Sequence, residues 1–83
     1  MAYSVTIESN RVAGIREMPS ADYDELGLEW ALSELKDTYR HSKNVSASFS
    51  LADGNELREF LSAVAALLGP DALDEQAQQL LRE

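Results

Sequence analysis

Between Glu17 and Glu34 the chain carries six acidic side chains (Glu17, Asp22, Asp24, Glu25, Glu29, Glu34) and no basic one. The same stretch holds Tyr23, Leu26 and Trp30. Wound at 100° per residue, Leu28, Ala31, Leu32, Leu35 and Tyr39 gather on one side of a helix, the i, i+3, i+4, i+7 pattern of a core-facing stripe. Tyr23, Leu26 and Trp30 fall on nearly the opposite side. A helix in a small domain has one core to face, so the second apolar patch needs another cover. Either a partner supplies it, or the helix is sandwiched between a sheet and the last helix of its own chain.

The remaining elements follow from periodicity. Tyr3, Val5 and Ile7 alternate with Ser4, Thr6 and Glu8, a half-buried strand. Ser9-Asn10 reads as a tight turn, because Asn tolerates positive φ. Val12, Ala13 and Ile15 then form a return strand in which Gly14 marks a bulge. The hairpin therefore spans 3–17. Met18-Pro19-Ser20 breaks it, and Ser20 or Asp22 caps a long helix over 21–40, with Asp22 and Glu25 at capping-box spacing. Its early acids and late bases (Lys36, Arg40, His41) complement the helix dipole.

Val45, Ala47, Phe49 and Leu51 alternate with Ser46, Ser48 and Ser50, a strand over 44–51 with one small, polar, wet face. Asp53 with Glu56 three residues on opens a helix over 54–68, striped by Leu57, Phe60, Leu61, Val64 and Leu68. Ala63, Ala65, Ala66 and Leu67 widen the stripe and predict deep burial of its C-terminal half. Gly69-Pro70 ends it, with Gly69 expected in the left-handed region. Asp71 is the expected cap of a short final helix, 72–82, carrying Leu73, Ala77, Leu80 and Leu81. A helix this short depends on docking for its stability.

The order β-β-α-β-α-α predicts one small α+β domain, with a three-stranded, mainly antiparallel sheet and helices packed on one face. Eighty-three residues suffice for one modest core. The strand order is open, since the third strand can pair beside either hairpin strand.

Chemistry-bearing constellations are few. The chain has no cysteine, which excludes disulfides and thiolate metal sites. Asp22, Asp24 and Glu25 cluster, but a calcium site takes six to eight oxygens at set offsets, and the helix dipole already accounts for acids there. Around Asp53-Gly54-Asn55, an EF-hand register would place Phe49, Leu51 and Phe60 at ligand positions, so the template fails. His41 is the only histidine. It lacks the paired nucleophile and orienting acid of a catalytic base, and a bond to the last helix carbonyls is the simpler role. No glycine-rich phosphate loop is present. The expectation is a non-enzyme without metal or cofactor.

Charge narrows the partners. The net charge is −8, which repels nucleic-acid backbones and anionic lipid and attracts a basic protein surface. No segment reaches the roughly 20 apolar residues of a membrane helix. MAYSVTIES has neither the basic start nor the apolar run of a signal peptide, so a cytoplasmic setting is expected. The expected function is an acidic protein-binding module. Asp22, Glu25, Glu29, Glu34 and Asp37 would meet a basic, nucleic-acid-binding surface, and Tyr23, Leu26 and Trp30 would supply apolar contact. Small inhibitory proteins of phage or mobile elements offer the analogy, one of size and charge alone. The alternative is a homodimer built on the Trp30 patch or an exposed strand edge.

Overall fold

The computed structural model describes residues 1–19 and 27–82. The hairpin strands are β1 (Ala2–Glu8) and β2 (Arg11–Met18). Ser9 and Asn10, which join them, have φ of 51° and 66°, the two positive values a two-residue hairpin turn demands. Thr6 faces Gly14 and Ile7 faces Val12, so Ala13 is the extra residue of a bulge beside the glycine.

The third strand, β3 (Ala47–Leu51), pairs antiparallel with β1, giving the order β2-β1-β3. Its unbroken register sets Val5 against Phe49 and Thr6 against Ser48. Strand pairing starts at Ala47 rather than at residue 44, and Asn10 is the reason. Its amide N–H donates to the Val45 carbonyl at 3.1 Å. Its side-chain oxygen accepts from the Val45 N–H at 2.7 Å, and its side-chain NH₂ donates to the Lys43 carbonyl at 3.0 Å. The turn of the hairpin therefore uses the polar groups that a longer β3 would have offered to the ladder.

Helix α1 (Gly27–Ser42) opens at Gly27, whose φ of 66° is left-handed, so no right-handed helix runs unbroken through that residue. The expected helix start and caps at residues 20–26 lie outside the described residues. Within α1, Ala31 and Leu35 are fully buried, and Leu28, Leu32 and Tyr39 pack against the core, as the 100° geometry predicts.

Helix α2 (Gly54–Leu68) is capped as its sequence requires. The Asp53 carboxylate accepts from the Glu56 N–H at 2.9 Å, and the Glu56 carboxylate accepts from the Ala52 N–H at 2.9 Å, a capping box reaching one residue further back than usual. Its fully buried side chains are Leu57, Phe60, Leu61 and Val64. The C-terminal half is less buried than expected: Ala66 is exposed, and Leu67 and Leu68 are only half-buried. Gly69 has positive φ (101°) but extended ψ (153°), so it leaves the helix through a glycine-only region rather than the left-handed one.

Pro70–Ala72 forms one 3₁₀ turn before α3 (Glu75–Arg82). The cap of α3 is accordingly Asp74, which accepts from the Ala77 N–H at 2.8 Å, and not Asp71. Proline at the start of the tight turn uses up the residues that Asp71 would have had to cap.

The core lies between one sheet face and the helices. Val5, Ile7, Val12, Phe49 and Leu51 meet Ala31, Leu35, Leu57, Phe60, Leu61, Val64 and Ala77. The Phe49 and Phe60 rings are 5.0 Å apart, tilted by 42°, a favourable aromatic geometry. Helix α1 sits over β3, α2 over β1 and β3, and α3 against α2 and β2. The other sheet face carries Ser4, Thr6, Ser48 and Ser50, outside the helical layer, and the Thr6 and Ser48 hydroxyls are 3.1 Å apart.

Candidate functional site

Helix α1 positions the candidate site. Because its core stripe is fixed by Ala31 and Leu35 on the buried side, Trp30, Glu34, Asp37 and His41 follow one another at spacings of four, three and four along the opposite side. Trp30 is 42% exposed, and apart from Met1 it is the one large apolar side chain so exposed among the described residues. The sandwiched arrangement is thereby overturned. Helix α3 docks on α2 and β2 rather than over the outer face of α1. The second apolar face of α1 is left to solvent at Trp30.

Charge along this face is more mixed than an acidic stripe. Glu29 is exposed on the flank and Glu34 is half-buried beside the tryptophan. Asp37 is already engaged: Arg40 Nη2 donates to its carboxylate at 3.0 Å. Such an exposed pair contributes at most about 1 kcal/mol to stability, but it neutralises the acid at that turn. Among the described residues α1 bears three acids (Glu29, Glu34, Asp37) against Lys36 and Arg40. Asp22, Tyr23, Glu25 and Leu26, the other expected contact residues, lie outside the described residues.

His41 sits where the sequence places it. A carbonyl oxygen accepts only, so the 2.8 Å contact with the Asp37 carbonyl makes Nδ1 the donor. The neighbouring Ser42 hydroxyl lies 2.9 Å from the Thr38 carbonyl and 2.8 Å from the Asn44 carbonyl. Its proton is directed to helix-end acceptors rather than to the imidazole, so the pair is not arranged as nucleophile and base. Lys43 Nζ rests 5.2 Å from the Tyr39 ring centre, a cation–π contact that ties this basic end to the helix.

A second, shallower feature lies on the helix-free sheet face. Ser4, Thr6, Gly14, Arg16 and Ser48 line an open depression there. Among the described residues, no group of three acids or histidines converges as a metal site would require, and no helix is long and apolar enough to cross a membrane. Comparison with family models, curated proteins and solved structures finds no match to this chain.

The sequence reading missed two relationships. Arg40 counts in the sequence only as a late base complementing the helix dipole, although its i, i+3 spacing from Asp37 is the signal for their pairing. Asn10 was read as a turn residue only, and nothing local marks its bonds to residues 43 and 45.

Proposed function

We propose that this chain is a non-enzymatic, acidic protein-binding module that acts in the cytoplasm by occupying a basic surface of a partner protein. Where that surface normally takes nucleic acid, occupancy inhibits the partner, in the manner of small phage or mobile-element proteins. The observation that carries this reading is the exposure of Trp30 on the side of α1 turned away from the core. A tryptophan left partly in water in the first turn of a helix costs burial that a partner can recover, and aromatic anchors of this kind dominate interface energies. Glu29 and Glu34 flank it, and the net charge of −8 steers a basic surface toward the whole molecule. Asp22, Tyr23, Glu25 and Leu26 extend the contact in this reading.

The test is capture from source-cell extract on immobilised protein at low and at several-fold higher salt. Wild type, Trp30→Ala and a Glu29→Lys, Glu34→Lys double variant are compared. The expected result is a basic partner held by wild type at low salt, released by salt, and lost from both variants. A partner retained equally by the charge-reversed protein would sink the electrostatic part of the proposal. Retention by Trp30→Ala would remove the anchor.

A further inference from the structure

The two edges of the sheet are built differently, and the difference points to a second copy of this chain. Strand β2 carries Arg11, Arg16 and Glu17, contains the bulge at Ala13, and runs into Pro19. Charges, bulges and proline are the devices by which edges avoid pairing with other chains. Strand β3 has none of them. Residues 44–52 contain no charge and no proline, β3 keeps an unbroken register with β1, and no described strand lies on its other side. Ala47 and Ser48 are exposed, while Phe49 and Leu51 anchor the strand from below.

We propose that β3 pairs antiparallel with β3 of a second copy about a two-fold axis at Ser48, joining two sheets into one of six strands. Charge complementarity selects both occupant and register. The uncharged run is bounded by Lys43 on one side and Asp53 on the other, five residues either way from Ser48. A two-fold axis at Ser48 brings Lys43 of each copy to the same end of the ladder as Asp53 of its mate, both lying beyond the paired residues Ala47–Leu51. The same axis, perpendicular to the sheet, makes the two copies of α1 antiparallel. That helix is the one packed over β3, and its Glu29 and Glu34 half then runs alongside the half of the other copy that carries Lys36, His41 and the Asp37–Arg40 ion pair. A five-residue strand spans only about 17 Å, too little area for a stable dimer by itself, so α1 must contribute and the association is weak. Assembly stops at two, because the dimer presents only the charged β2 edges outward. This inference goes beyond the partner-binding reading and does not rest on it.

The decisive experiment is sedimentation of wild type, Ser48→Lys and Ser48→Glu over a wide concentration range, each alone and the two variants mixed. The Ser48 side chain is exposed and, among the described residues, bonded only to the Thr6 hydroxyl, so the substitutions leave the core untouched. Wild type should double its mass with concentration. Each variant alone should dissociate at least tenfold more readily, because a charge at Ser48 faces itself across the axis. An equimolar mixture should restore the dimer by pairing lysine with glutamate. Wild type that stays monomeric throughout, a dimer indifferent to both variants, or a mixture that fails to re-form it overturns the proposal. Should a variant misfold, amide chemical shifts of wild type on dilution decide: changes must centre on 44–52 and α1, and changes confined elsewhere overturn it equally.

Discussion

The two long helices do different work at nearly equal length, 16 and 15 residues. Helix α2 buries Leu57, Phe60, Leu61 and Val64 completely, is held at its start by two side-chain bonds, and reaches two strands. Helix α1 buries only Ala31 and Leu35 completely and leaves Trp30 in solvent. The contrast teaches that an apolar residue's contribution depends on the face it occupies: the largest side chain in the molecule sits on the helix that needs it least for folding.

That contrast can be broken or sharpened by substitution, and the largest effect belongs to α2. Phe60→Ala removes a fully buried ring that stacks on Phe49, and should cost about 3–5 kcal/mol in urea unfolding. Leu35→Ala, the strongest anchor of α1, should cost about 2–5 kcal/mol and fall below Phe60→Ala. If it exceeded Phe60→Ala, the ranking of the two helices would be reversed. Asp53→Ala removes the cap of α2 and should lower stability by about 1 kcal/mol, read as a shift of the denaturation midpoint with unchanged slope. Trp30→Ala should change stability by no more than about 0.5 kcal/mol while abolishing partner capture. A loss of several kcal/mol there would make Trp30 a structural residue and leave the proposed site without its anchor.

Much of this division was legible in the sequence, for stated reasons. A period of two fixes which residues of β1 and β3 face the core, and a period of 3.6 separates Leu35 from Trp30 on α1. The cap at Asp53 and the stop at Gly69-Pro70 are local chemistry, readable without neighbours. What stayed hidden depends on distant contacts or on competition between local rules. Pairing of β3 with β1 rather than β2 is a choice between equally patterned edges. Asp74 displaces Asp71 as a cap only because Pro70 begins a 3₁₀ turn. The outer face of α1 was found by geometry, but its acidity was overestimated where Arg40 reaches Asp37.

Asn10 has a consequence for how the chain acquires its structure in time. The hairpin is local, closed by a two-residue turn, and contacts of this kind form quickly. Arrival of β3 must close a far longer loop, and the bonds from Asn10 to Lys43 and Val45 span 33 and 35 residues. The turn that ends the first fast step therefore presents the receptor for the slow one. A hairpin formed in the wrong register would carry Asn10 out of place and leave the Lys43 and Val45 groups without their partner. One side chain thus ties the approach to the third strand to the closed turn of the first pair.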